Sequence, residues 1–383
     1  MIYLDNGATS FPKPCCVTET VMKAMKYSGG SPGRGGHSSS VKAGETVFKT
    51  REALAEMFSC ESECVIFTNN CTTALNTAIK GICSKGDRII TSTLEHNSVL
   101  RPLENLRGKG IITYETVSVN PLSESETLSN FADALSMNTR ALVCTFASNV
   151  FGTVLPIEKL GKLCREKDVI FIVDAAQAAG TFRIDMKRMN IDILCMPGHK
   201  GLFGPMGTGM MLLSGRVNPE ELIQGGTGSY SMLTEQPSVL PDRYESGTLN
   251  YPGIAGLYSG VKFIKSVGGE EVIHSKENEL IKILRNDLSV IRNVKLYPHM
   301  CTEVCAPILS FNIDGFHSEE VSSYLDKNGF SVRAGYHCAK LAHENYGTAE
   351  QGCVRVTPGY FNSKKDIKNF VFCCNKIALR KKV

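Results

Sequence analysis

From Val65 to Leu213 the chain repeats one pattern: a short apolar run, a polar turn, and an amphipathic stretch of helical length. Val65–Thr68, Arg88–Thr93, Ile111–Val119, Ala141–Phe146, Val169–Val173 and Ile191–Cys195 read as strands. Between them, helices are predicted from the Asn69–Thr73 turn through Ser84, from the Glu95–Asn97 turn to Arg107, over 127–137, and over Pro156–Lys167. Strands alternating with helices imply crossover units and a mostly parallel sheet covered on both faces. Gly207–Leu213 reads as one more strand, antiparallel, at the end of the series. Upstream lie Gly-, Pro- and Ser-rich loops with helices at 16–27 and 40–59, and Arg34 and His37 either face a site or sit in a solvated loop.

After Gly253 the pattern changes. Helices at 253–266 and 270–290 precede an apolar strand, Pro307–Asn312, and a helix over Ser318–Lys327. Phe330–Cys338, a polar loop, the segment Val354–Thr357 and a terminal helix over 364–380 follow, with the basic tail Arg380–Lys382 suited to a helix C-terminus. The expected class is α/β: a mostly parallel sheet flanked by helices, with a smaller α+β C-terminal domain. At 383 residues a second core is the default, so the expected division is 1–252 and 253–383, with residues 1–15 placed to pack on the smaller domain.

A net charge of +4 gives no reason to invoke nucleic acid or a membrane surface. No secretory signal and no apolar run of about 20 residues is apparent, which points to the cytoplasm. In a reducing compartment the 15 cysteines are unlikely to form disulfides. Cys60/Cys64 and Cys301/Cys305 lack a nearby histidine pair, so no metal site is expected, and most thiols read as small buried hydrophobes.

In parallel sheets ligands sit beyond the carboxyl ends of the strands, and the polar candidates gather there: Asn70–Thr73, Glu95–Asn97, Ser148–Asn149, Asp174–Gln177 and Pro197–Lys200. Lys200 alone reads as an exposed loop residue. With Asp174 at the end of a buried strand 26 residues upstream, it suggests pyridoxal phosphate (PLP): a lysine for the Schiff base and an aspartate to keep the pyridine nitrogen protonated. Asp174 is equally suited to cap the following turn, and Gln177 to reach the cofactor's phenolate oxygen. The helix start at Cys71 and Thr72 suits a phosphate, although capping by Asn70 or Thr72 needs no ligand. His96 can stack on a planar ring or be structural. Cys338 is flanked by His337 and Lys340, whose positive character would favour thiolate. Arg333 and Arg355 suit a substrate carboxylate or anchor their loop.

These residues carry a resemblance. The sequence resembles class V (fold-type I) PLP enzymes, and within them the cysteine desulfurase and selenocysteine lyase group, through Tyr3–Thr9, Glu95–His96, Ser148–Thr153, Val173–Gln177, Gly198–Lys200, Glu245–Asn250 and Arg333–Cys338. The resemblance implies that Lys200 links to the cofactor and His96 stacks on its ring. Asp174 would partner the pyridinium and Gln177 the phenolate, with Cys71, Thr72 and His199 at the phosphate. Asn149 and Arg355 would bind the substrate carboxylate, with Arg333 near the thiol, and Thr248 would reach the phosphate of the neighbouring subunit in a homodimer. The short interval from Cys338 to Arg355 resembles the SUF-type (group II) enzymes. Pro197, Cys71 and Tyr336 depart from the usual serine, threonine and histidine.

The implied activity converts L-cysteine to L-alanine, leaving sulfur on Cys338 as a persulfide for an acceptor protein. The alternatives are release of selenium from L-selenocysteine to a selenium acceptor, with Cys338 serving as an acid, and another class V transamination or lyase reaction. A non-enzymatic thiol-rich sulfur carrier or redox sensor would need no PLP.

Overall fold

The computed structural model describes residues 1–33, 36–135, 138–297 and 305–380. β1 (Ile2–Tyr3) precedes helices α1 (Cys15–Tyr27) and α2 (Ser38–Phe58). The repeating region gives β2 (Val65–Thr68), α3 (Cys71–Ile82), β3 (Asp87–Ser92), α4 (Asn97–Gly108), β4 (Ile112–Val117) and α5 (Glu124–Ala134). It continues with β5 (Thr139–Thr145), α6 (Ile157–Glu166), β6 (Ile170–Asp174), β7 (Ile193–Pro197) and β8 (Gly209–Leu213). Helix α5 starts earlier than the apolar spacing predicts because the Ser123 side chain accepts the Glu126 N–H and caps it.

The seven-stranded sheet has the order β2-β8-β7-β6-β5-β3-β4. Every residue of β6, β7 and β8 is buried, as expected for strands covered on both faces. Strand β8 is antiparallel to both β2 and β7. It lies inside the sheet and not at its end, because Gly209–Leu213 has no polar face to offer solvent. Its reversal leaves β2 parallel to β7, so the carboxyl ends of β2, β3, β5, β6 and β7 share one edge. Helix α3 covers the sheet with Ala74, Leu75, Ala78, Ile79 and Ile82, a spacing that puts one buried stripe on a 3.6-residue helix.

The later chain forms α7 (Tyr251–Ser266), α8 (Glu270–Ser289), β9 (Val294–Tyr297), β10 (Leu309–Ile313), α9 (Ser318–Lys327), β11 (Phe330–Ser331) and β12 (Arg333–Gly335). It ends with α10 (Lys340–Asn345), β13 (Cys353–Val356) and α11 (Lys364–Ala378). Strands β12-β13-β10-β9 make an antiparallel sheet over a second core that includes Leu280, Leu284, Phe311 and Phe370. Helix α7 packs against α1 and α2, and its Ile254, Leu257 and Val261 belong to the first core. The first residues join the second body: β1 pairs in parallel with β11, and Leu4 is buried in that core. No helix among the described residues is long and apolar enough to cross a membrane.

Candidate active site at the carboxyl edge of the sheet

Asp174 ends the central strand β6 and is 3% exposed. Its Oδ1 accepts the Ala176 N–H at 2.9 Å and the Cys71 thiol at 3.7 Å, so the capping role and a site role coexist, because Oδ2 makes no hydrogen bond among the described residues. Lys200 follows β7 on the neighbouring turn. Its Nζ makes no hydrogen bond or ion pair among the described residues. Desolvation lowers the amine's pKa from its ordinary value, and the charge of Asp174 opposes the shift. The two turns meet backbone to backbone. A Cβ on Gly201 would lie 2.3 Å from the Ala179 carbonyl, and one on Gly180, which has φ +85°, would lie 2.3 Å from the Gly201 carbonyl. The glycine after the lysine is thus required for close approach.

Around this pair stand the other candidates. Asn70 caps α3 by accepting the Thr73 N–H at 2.9 Å. Among the described residues the N–H groups of Cys71 and Thr72 have no partner at a helix N-terminus, an arrangement suited to an anion. His96 caps α4 through Nδ1, which accepts the Ser98 N–H at 3.1 Å and meets the Ser98 hydroxyl at 2.8 Å. Burial lowers its pKa, with Asp174 opposing, so the ring is neutral with its proton on Nε2. Gln177 donates to the Gly7 carbonyl at 3.0 Å, leaving its second amide hydrogen available. His199 is brought down to about 4, by burial first and then by the Lys200 and Lys13 charges. Its Nδ1 is buried without a partner. A neutral His199 can meet a phosphate only as a hydrogen-bond donor.

The cysteine loop closes the site from the second body. Cys338 is exposed, and its carbonyl accepts the Asn97 N–H at 2.8 Å, tying it to the start of α4 beside His96. Asn149 donates to the His337 carbonyl at 2.8 Å. The expectation that His337 lends positive charge to the thiol is corrected. Burial first, then the Arg355 charge, bring its imidazole down to about 3, and Nε2–H donates to the Cys353 carbonyl at 3.1 Å. Lys340 lies 3.6 Å from Glu344 and is itself partly neutralised. Arg355 is 3% exposed and donates to the Asn149 carbonyl and to Asp5 Oδ1, each at 2.8 Å. Arg333 is half exposed and reaches Asp5 Oδ2 at 3.1 Å. Arg355 Nε and Asn149 Oδ1 are buried without partners among the described residues, which leaves one donor and one acceptor unsatisfied at this edge.

Thr248 is exposed on the loop before α7 and lines a separate cleft with Thr68, Asn69 and Thr73. His37 caps α2, accepting the Ser40 N–H, and Arg34 lies outside the described residues. Of the exposed cysteines among the described residues, Cys15, Cys16 and Cys338, only the last belongs to this edge. Sequence reasoning missed Asp5, which bridges the two arginines, and Glu277, a buried acid lifted to about 8 by desolvation that lines a cleft with Lys200 and Gln177. The Tyr3–Thr9 motif was the available signal for Asp5. Nothing local marks Glu277.

The donor set fits PLP: an amine and one oxygen of a buried aspartate that make no hydrogen bond among the described residues, an oriented neutral imidazole and two N–H groups at a helix start. The class-V aminotransferase profile matches residues 2–370, and the chain belongs to that family. It is similar to a probable cysteine desulfurase of Pyrococcus abyssi, 31% identical over 97% of this chain and 92% of that protein. A probable cysteine desulfurase of Methanothermobacter thermautotrophicus is 30% identical over 96% of this chain and 92% of that protein. The apo structure of the cysteine desulfurase from Thermococcus onnurineus NA1 superposes with a TM-score of 0.87 at 27% identity, covering 98% of this chain and 94% of that one.

Proposed function

We propose that this protein is a PLP-dependent cysteine desulfurase that converts L-cysteine to L-alanine and holds the sulfur on Cys338 for an acceptor protein. When bound, PLP supplies an electron sink for negative charge at the substrate Cα. Lys200 would carry the covalent link to the cofactor, and its freed amine would move the substrate Cα proton. Asp174 Oδ2 would hold the proton on the ring nitrogen, His96 would face the ring, Gln177 would meet the phenolate, and Cys71, Thr72 and His199 would donate to the phosphate. Thr248 of a second copy completes the phosphate site in a homodimer. Asn149 and Arg355 orient the substrate carboxylate, with Arg333 at the rim. The Cys338 thiolate attacks the substrate sulfur; an S–S bond forms, the C–S bond breaks with its electron pair left on carbon, and that carbon takes up a proton.

The observation that carries this reading is a Lys200 amine without a hydrogen bond among the described residues, near enough to Asp174 to feel its charge, together with an exposed cysteine whose loop is tied to the His96 turn. Lys200→Ala should abolish the visible absorbance of the cofactor linkage. Cys338→Ala should keep that band and lower sulfide release from cysteine by at least about a hundredfold. A colourless wild-type protein would support a thiol carrier. Full turnover of L-selenocysteine by Cys338→Ala would show that the thiol takes no part in selenium release.

A further inference from the structure

The side chain of Lys200 ends in an amine with no hydrogen bond or ion pair among the described residues, so its aim depends on its main chain. That main chain is held from outside its own turn. The His199 carbonyl accepts from Thr9 Oγ1 at 2.9 Å, from the Ser10 N–H at 3.2 Å and from Lys13 Nζ at 2.6 Å. The Ser10 hydroxyl donates to the Lys200 carbonyl at 2.9 Å and accepts from Lys13 Nζ at 2.7 Å.

Lys13 is the unexpected member. It is partly buried, has no ion-pair partner among the described residues, and desolvation brings its amine down to about 8. A link needed only to join two backbones would be made more cheaply by another hydroxyl, because desolvating an ammonium without a counter-charge is costly. What the ammonium adds is a charge-assisted bond and several donors on one atom, which fix two acceptors together. It also contributes to keeping His199 neutral, behind burial and Lys200 itself.

We propose that Lys13 is a positioning residue for Lys200: its ammonium, acting with the Ser10 hydroxyl, fixes the His199–Lys200 main chain and so aims the Lys200 amine. This rests on the reading of Lys200 as the cofactor-linked lysine. The fixation matters most when Lys200 is released by substrate and must find the Cα proton with only its own stem and backbone to guide it. A small misplacement there costs rate while leaving substrate binding by Arg355 and Asn149 intact.

The test compares Lys13→Met, Lys13→Arg and Ser10→Ala with wild type and Lys200→Ala in the cofactor-loaded enzyme. The cofactor-stripped proteins add the rate of Lys200 acetylation by acetic anhydride, read by mass spectrometry. Lys13→Met should lower kcat for cysteine on the order of 10- to 100-fold with little change in KM, and should alter the Lys200 acetylation rate. Lys13→Arg should recover most of both. Wild-type kcat and acetylation in Lys13→Met would overturn the proposal, and so would a Lys13→Arg enzyme as impaired as Lys13→Met, which would mark simple packing. Should Lys13→Met fail to fold, Ser10→Ala cuts the link to the Lys200 carbonyl, and unchanged kcat there overturns the proposal too. Visible absorbance that persists in Lys200→Ala would instead defeat the underlying assignment of the lysine.

Discussion

Burial sets the protonation of Glu95 and His337 against the states their residue types suggest. Glu95 is fully buried beside His96; its Oε1 accepts from the Ser92 hydroxyl and from the Thr145 N–H at 2.9 Å, while Oε2 has no partner. Desolvation raises it from 4.5 to about 8, so the folded protein holds it protonated at neutral pH. The unfolded chain releases that proton above 4.5, so Glu95 lowers stability progressively as pH rises from 4.5 to about 8. Glu95→Gln, which keeps the shape of the neutral acid, should therefore gain Tm relative to wild type as pH is raised from 5 to 8. A difference independent of pH in paired thermal scans would mean that the carboxyl is ionised when folded. On the acid side the sign reverses. His199 and His337, depressed from 6.5 to about 4 and about 3, stay neutral while the unfolded chain protonates, so stability is lost as pH falls from 6.5 through those values.

Helix α3 is positioned by contact with a strand that has no side chain to spare. A Cβ on Gly209 of β8 would lie 2.4 Å from the Asn70 backbone, where the N-cap of α3 and the free N–H groups of Cys71 and Thr72 begin. Gly209→Ala should cost about 1–3 kcal/mol and weaken cofactor retention, measured by urea unfolding and by loss of visible absorbance on dialysis. Gly44→Ala is the control. A Cβ there meets nothing within 4 Å in the middle of α2, and it should leave stability unchanged or raise it by about 0.5–1 kcal/mol. Equal losses in both would remove the close approach as the cause. Elements of this kind were legible to unequal degrees. Strands β5, β6 and β7 read plainly because burial on both faces leaves an unbroken apolar run, and Asp174 and Lys200 follow from where such runs stop. Strand β9 escaped notice because four residues with Lys295 among them make no pattern, as did the six-residue α10. The internal place of β8 depends on pairing, which sequence order does not state. Asp5 and Lys13 were invisible as site residues because their partners lie 350 and 186 residues away, and the neutrality of His337 depends on burial that its sequence neighbours do not reveal.

Across the whole molecule, residues 2–13 act as a strap over the site. Ile2 and Tyr3 pair with Phe330 and Ser331, Asp5 joins Arg333 to Arg355, Gly7 contacts Thr357 and Gln177, and residues 9–13 hold the Lys200 turn. Deleting residues 1–13 should release amide-exchange protection at 330–335 and 353–357 while Ile79 and Ile89, buried between α3 and the seven-stranded sheet, remain protected. Uniform loss of protection would mean that the strap supports the entire fold.

The strap also imposes an order of events on synthesis. Residues 2–7 are made long before their partners at 330, 333, 355 and 357 emerge from the ribosome. The sheet and the Lys200 turn can be complete while the arginine cradle is still untranslated. A nascent chain can then acquire the lysine's surroundings well before it has anything with which to grasp an amino acid.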